Sequence, residues 1–171
     1  MDLIATDALG REWQLSTVQI DYVQPQRFNL EYTDKDGGKK CPVMIHRAIL
    51  GSSERMLMIL LENYAGNFPL WLSPIQVKVI PVRQNHNEYA KEVFELLKQN
   101  GIRTELDEEE ANLGGKVRDA KNKKIPYWIV IGDKEIEADK ITLESRDNGQ
   151  LGQISKQELI LRFLEEIKNK K

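Results

Sequence analysis

Hydrophobic and polar positions change rhythm several times along this chain. Over residues 12–22 the alternation is loose, with Leu15, Thr17, Gln19 and Asp21 on one side and Val18, Ile20 and Tyr22 on the other. A period of two predicts an antiparallel strand with one solvated face, and on an ideal strand Gln14 falls opposite Gln19. Residues 34–40 are polar and glycine-containing and predict a hairpin loop. The apolar, β-branched run that begins at Pro42 predicts a buried strand carrying His46. Beyond it Met56, Ile59, Leu60 and Asn63 recur at i, i+3, i+4 and i+7, as on one helix face. Gly51-Ser52 marks the switch, with Ser52 as candidate N-cap and Glu54 in the first turn.

Residues 68–74 place two prolines around an aromatic, which breaks any helix and predicts a packed connector. The expected domains are therefore 1–72 and 73–171. In the second, residues 76–82 predict a continuous apolar strand. Residues 88–100 predict an amphipathic helix with Tyr89, Val93, Leu96 and Leu97 inward, closed by Gly101. A short strand at 103–106, a basic helix at 113–123, strands at 127–131 and 140–145 and a helix at 155–169 follow. This βαβαβ alternation with an added strand and helix predicts an α/β domain, its mixed sheet flanked by helices on both faces.

Charge narrows the partners only a little. The formal net charge is −2. Residues 1–73 hold 7 Lys+Arg against 9 Asp+Glu and the remainder 18 against 18, so neither part is a basic clamp. Any RNA contact must rest on local patches and base-edge readout. Cys41 is the single cysteine and forms no internal disulfide; it reads as a small half-buried residue at a strand start, in keeping with a reducing compartment. No apolar run approaches the ~18 residues that span a membrane, and no basic-then-apolar leader opens the chain, so a soluble, cytoplasmic protein is expected.

Several residues carry candidate chemistry. Thr17 and Gln19 project together as short neutral hydrogen-bonders, suited to a small amino acid or adenylate. Arg55 sits where a strand, a small-residue loop and an opening helix leave free backbone N–H groups, a combination that suits a polyphosphate. His46, alone in an apolar strand, reads as a hydrogen-bonded core residue. Gly114-Gly115-Lys116 lacks the spacing of a phosphate loop and reads as glycines that let a helix start close to a strand. Lys116, Arg118, Lys121, Lys123 and Lys124 place five positive charges on one helix and its exit, either a solvated face or a guide for RNA backbone.

The stretch from Pro42 through His46-Arg47-Ala48-Ile49-Leu50-Gly51-Ser52 to Arg55 resembles motif 3 of the class II aminoacyl-tRNA synthetases, in the form of the bacterial threonyl enzymes. Asp7-Ala8-Leu9-Gly10-Arg11-Glu12-Trp13-Gln14 and Ser16-Thr17-Val18-Gln19-Ile20-Asp21 before it are similar to that family's active-site strands. Glu62-Asn63-Tyr64-Ala65-Gly66-Asn67-Phe68-Pro69-Leu70-Trp71, Ile125-Pro126-Tyr127 and Gly132-Asp133-Lys134-Glu135 continue the likeness in order to the chain's end.

The resemblance implies the C-terminal piece of a class II antiparallel catalytic sheet with its motif 3 helix, followed by an anticodon-binding domain. It implies ATP-dependent activation of threonine and transfer to tRNA(Thr), with Mg2+ accompanying ATP. Arg55 would neutralise the γ-phosphate, and Gln14, Thr17, Gln19 and Ser52 would shape the adenylate pocket. His46 would be one of three protein ligands to a catalytic zinc. Glu135 would contact anticodon bases, with Arg118 and Lys116 beside the RNA. Motifs 1 and 2 and two zinc ligands are expected upstream of residue 1, so the complete enzyme would be a homodimer and this piece alone inactive. Leu15 stands where some relatives have cysteine, Glu110 where some have asparagine and Glu144 where many have arginine. The alternatives are a non-catalytic tRNA-binding paralogue and a fragment of another class II synthetase.

Overall fold

The structure, a computed structural model, describes residues 1–7, 9–109 and 111–171; Glu110, singled out above, lies outside them. The chain forms two compact units, Met1–Asn63 and Tyr64–Lys171.

The first unit contains β1 (Asp2–Thr6), β2 (Glu12–Asp21), a single helical turn α1 (Gln24–Arg27), β3 (Tyr32–Thr33), β4 (Lys39–Lys40), β5 (Met44–Ala48) and the helix α2 (Ser53–Tyr64). β1, β2 and β5 form an antiparallel sheet in that order, and β3 pairs with β4 around the expected polar loop. In α2 the half-buried positions include Met56, Ile59 and Leu60, as the 3.6 period predicts. β5 is not the buried strand expected. Ile45 is 66% exposed and none of the β5 residues is buried; β5 is an edge strand of this sheet. Cys41 is likewise exposed, just beyond β4.

One irregularity in β2 matters for the site. Leu3 pairs with Ser16 but Ile4 pairs with Gln14, so Leu15 is an extra residue in β2. Such a bulge inserts one residue and resets the alternation of side chains across the sheet.

The second unit runs β6 (Val77–Pro81), a 3-10 turn (Gln84–His86), α3 (Asn87–Gln99), β7 (Thr104–Leu106), α4 (Leu113–Asn122), β8 (Tyr127–Ile131), α5 (Asp133–Ala138), β9 (Ile141–Ser145), β10 (Gly149–Ile154) and α6 (Lys156–Lys168). Strand order is β10-β9-β8-β6-β7, with β7, β6 and β8 parallel and β9 and β10 antiparallel. Val77, Val79, Ile129, Ile131, Ile141 and Leu143 pack on one face with Val93 and Leu97 of α3 and Leu159 and Phe163 of α6. On the other face Ile80 and Trp128 pack with Ala120 of α4 and with Ile125. Gly101 ends α3 at φ +76°, where a side chain would be strained, and Ile102 N–H returns to the Leu97 carbonyl at 3.1 Å.

Two elements differ from expectation. The Gly132-Asp133 corner opens α5, six residues too short to display a period, and β10 is a strand despite its glycines and glutamines. The connector at 68–74 packs with this second unit. Leu70 is buried, Gln76 Nε2 donates to its carbonyl (2.9 Å), and Arg103 donates to the carbonyls of Trp71 (2.8 Å) and Ser73 (2.9 Å).

Candidate functional site

In the first unit the polar candidates converge on one face of the β1-β2-β5 sheet. Asp2 pairs with Thr17 in register, and Gln14 Nε2 donates to Asp2 Oδ1 at 2.8 Å. The Thr17 hydroxyl, then the charged N-terminus and the Gln14 amide, hold the Asp2 carboxyl below its ordinary range against desolvation. Gln14 and Thr17 therefore lie on the same face of the sheet, beside Asp2. The ideal-strand expectation that opposed Gln14 to Gln19 is corrected by the bulge at Leu15, which turns Gln14 to the side of Thr17 and Gln19. Gln19 pairs directly with His46 of β5, so their side chains share that face.

His46 is tied to the end of β2. Its Nε2 lies 2.9 Å from Asp21 Oδ2, while Asp21 Oδ1 accepts the N–H groups of Val23 (2.8 Å) and Gln24 (2.9 Å). The Gln24 N–H, His46 and the Val23 N–H together depress the Asp21 pKa, against a smaller upward push from desolvation. Gln19, Asp21, Gln24 and His46 line an open cleft of about 620 Å³.

Ser52 caps α2, its Oγ accepting from Arg55 N–H at 3.2 Å. Gly51 has φ +65°, and a Cβ there would meet the Leu15 carbonyl oxygen at 3.2 Å and that of Gln14 at 3.3 Å. Only glycine lets the loop lie this close to the β2 bulge. The exposed Arg55 consequently reaches β2, with Nη1 donating to the Gln14 carbonyl at 3.3 Å. A guanidinium and a helix N-terminus thus stand at one end of the polar face and an imidazole at the other. About five residues of strand separate them, roughly 15 Å.

Nearby, Asp7 accepts from Trp13 Nε1 (2.9 Å) and Arg11 Nε (2.6 Å), and Arg11 Nη2 reaches Glu62 at 2.5 Å. This cluster, which the sequence reading did not single out, borders a cavity of about 510 Å³.

The donor set at His46 fits one ligand of a zinc site and not a whole one. Among the described residues no group of three His, Cys, Asp or Glu converges as a metal requires, Cys41 is exposed, and His86 lies in the other unit.

In the second unit α3 and α6 pack on one sheet face, and α4 packs on the other against Ile80 of β6 and Trp128 of β8. β9 alternates, with Ile141, Leu143 and Ser145 buried and Thr142 and Glu144 half-buried. Thr142, Glu144 and the exposed Gln153, which pairs with Thr142, make a polar strip. Glu144 Oε2 accepts from Trp128 Nε1 at 2.9 Å. Arg118 on α4 is exposed, whereas Lys116, expected beside it, is buried with its ammonium 3.1 Å from Asp107. α4 thus turns Lys116 inward to a carboxylate.

Glu135 is also turned inward. Its Oε2 accepts Gly132 N–H at 2.9 Å, and Oε1 accepts Thr142 Oγ1–H (2.6 Å) and Gln153 Nε2–H (3.4 Å). Burial raises its pKa, but these donors, Thr142 foremost, bring it below the ordinary glutamate value. The carboxylate is occupied from within instead of lying open to a base edge.

Charged residues that the sequence reading passed over form the network beneath. Lys78, inside the apolar β6 run, is buried against Asp119 (2.6 Å), Asp107 (2.9 Å) and Glu105 (3.2 Å). His86, also buried, accepts Arg83 N–H on Nδ1 (3.2 Å) and has Nε2 3.0 Å from Asp133. Asp107, Lys116 and Arg83 border a crevice at the carboxyl ends of β6 and β7, the place where open α/β sheets bind ligands.

Sequence comparison agrees with this architecture. Residues 76–166, more than half the chain, match the family model described as anticodon binding domain. Residues 1–64 match the tRNA synthetase class II core domain (G, H, P, S and T). The threonine–tRNA ligase of Caldanaerobacter subterraneus subsp. tengcongensis is 46% identical over 170 residues, covering 99% of this chain and 26% of the relative. That of Aquifex aeolicus is 48% identical over 170 residues, covering 99% of this chain and 27% of the relative. The chain thus spans about a quarter of the length of these relatives. A crystal structure of the RNA binding domain of threonyl-tRNA synthetase from Cryptosporidium parvum Iowa II superposes with a TM-score of 0.82 at 40% identity, covering 96% of this chain and 42% of that one. The chain belongs to the anticodon binding domain family, joined here to class II synthetase core sequence and similar over its whole length to the threonine–tRNA ligases.

Proposed function

We propose that this chain supplies the motif 3 part of the active site and the anticodon-reading part of a threonine–tRNA ligase. That ligase activates threonine with ATP and Mg2+ and transfers it to tRNA(Thr). The grouping of Gln14, Thr17, Gln19 and His46 on one sheet face, with Arg55 at its end, supports this most directly. Arg55 and the α2 N-terminus form a fixed positive pole for the terminal phosphates of ATP, where charge shifts during adenylate formation. Thr17, Gln19 and Gln14 present neutral hydrogen-bonding groups to the adenylate, and Ser52 keeps the helix start in place.

His46 would hold a zinc ion together with ligands from outside this chain. That ion would supply a Lewis acid able to tell threonine, which has a hydroxyl, from valine, which has none. The polar strip of β9 and β10 would face anticodon bases, and Arg118 the RNA backbone. Glu135 would act through Gly132 and Thr142, which its carboxylate holds.

The test is a chimaera in which this chain replaces the matching quarter of the Aquifex aeolicus ligase. Threonine-dependent ATP–pyrophosphate exchange and charging of tRNA(Thr) are expected. Arg55→Ala should lower the exchange rate by roughly 10²–10³-fold, the usual cost of one pre-organised charge contact. A folded chimaera that binds tRNA without exchange would favour a non-catalytic tRNA-binding role.

A further inference from the structure

We propose that Asp21 is the positioning residue for His46: it holds the imidazole as the Nε2–H tautomer and leaves Nδ1 as the atom offered to a divalent cation. The inference rests on the reading of His46 as a zinc ligand and adds the residue that orients it.

Asp21 Oδ2 lies 2.9 Å from His46 Nε2. An ionised carboxylate has no proton to give, so the ring nitrogen donates. The other oxygen is occupied, since Oδ1 accepts from Val23 N–H (2.8 Å) and Gln24 N–H (2.9 Å) at the start of α1. Two rigid backbone donors therefore fix the carboxylate, and the carboxylate fixes the ring. Nδ1 has no hydrogen-bond partner among the described residues, and the His46 side chain is 38% exposed beside the cleft that it lines with Gln19 and Gln24. A carboxylate on the far ring nitrogen is the usual way in which a metal-binding histidine is held in tautomer and orientation.

Asp21→Asn separates this role from a structural one. Asparagine keeps an oxygen to accept the Val23 and Gln24 N–H groups. Turning the amide over would set its NH2 against both backbone donors, so the amide orientation is dictated. Its Nδ2 then takes the place of Oδ2 and donates, so Nε2 must accept and the ring proton moves to Nδ1. The fold is retained while the lone pair leaves the ligand position.

The experiment has two arms. In the 171-residue chain labelled with 15N-histidine, two-bond proton–nitrogen correlation spectra at alkaline pH report which nitrogen of His46 bears the proton. Nε2–H is expected in the wild type and Nδ1–H in Asp21→Asn; a wild-type ring protonated on Nδ1 overturns the proposal without recourse to any variant. In the chimaeric ligase, zinc affinity is measured by competition with a chelator for the wild type, Asp21→Asn and His46→Ala. Asp21→Asn should weaken zinc by roughly 10–100-fold. If His46→Ala keeps its zinc, the ligand reading itself fails. If His46→Ala loses zinc but Asp21→Asn binds it like the wild type, the ligand reading stands and the role of Asp21 is refuted.

Discussion

Replacing Lys78 with methionine probes the charge network under the second unit. The Lys78 side chain is 2% exposed and that of Asp107 1%, so water screens their interaction little. Desolvation lowers the Lys78 pKa, but hydrogen bonds to Asp119, Asp107 and Glu105 outweigh it and leave the ammonium more basic than an ordinary lysine. Methionine retains most of the volume and strands the carboxylates. Breaking a buried pair costs about 3–5 kcal/mol. Lys116 remains 3.1 Å from Asp107, and Lys123 remains 2.9 Å from Asp119, so the lower end, about 3 kcal/mol, is expected. For a unit of this size that lowers Tm by roughly 12 °C.

The control is Lys123→Ala, which removes a half-exposed ammonium worth about 0–1 kcal/mol. Hydrogen exchange of the β8 amides during thermal unfolding reads the second unit alone. Acidification supplies a further check. Burial pushes the Asp107 carboxyl up, but Lys78 and Lys116 hold it below the ordinary value. A depressed carboxylate contributes stability above its unfolded pKa of about 4 that is lost as pH falls through the folded value. In Lys78→Met the depression is smaller and less is lost, so the gap between wild type and variant should narrow below about pH 4. A Lys78→Met melt within about 3 °C of Lys123→Ala would refute the reasoning.

Three further outcomes are expected. Gly51→Ala forces a side chain into φ +65° against the Gln14 and Leu15 carbonyls; it should destabilise the first unit by about 1–3 kcal/mol and speed amide exchange at the start of α2. Asp7 is held well below the ordinary carboxylate range, with the Trp13 N–H the largest cause, so the stability it contributes is complete above the unfolded pKa of about 4 and is lost progressively as pH falls from there towards that low value. Asp7→Asn should therefore flatten the acid limb of the first unit's pH–stability curve, and an unchanged limb would count against the cluster. Limited proteolysis should leave a resistant fragment beginning between Tyr64 and Phe68. Arg103, Gln76 and Arg146 hold the connector carbonyls, so a stable product starting at Ser73 would contradict this.

Local signals carried a large part of this structure in the sequence itself. The change from strand to helix period at Gly51-Ser52, the stop at Gly101 and the apolar runs of β6 and β8 each depend on residues within one or two turns. So does the set of polar residue types at 14, 17, 19, 46 and 55. Tertiary structure decided the rest. Whether Gln14 joins Thr17 and Gln19 depends on a bulge set by pairing with β1, which single-strand alternation does not encode. Lys78 looks like an exception in an apolar run until Asp119, 41 residues away, closes on it. Lys116 and Glu135 have the composition of RNA-facing groups, yet Asp107, Gly132 and Thr142 draw them inward. An unpaired charge or lone pair beside a core is costly, and the partner that relieves it lies elsewhere in the chain. Residue types and local periods are written along the sequence; which charges face inward is settled only when distant strands meet.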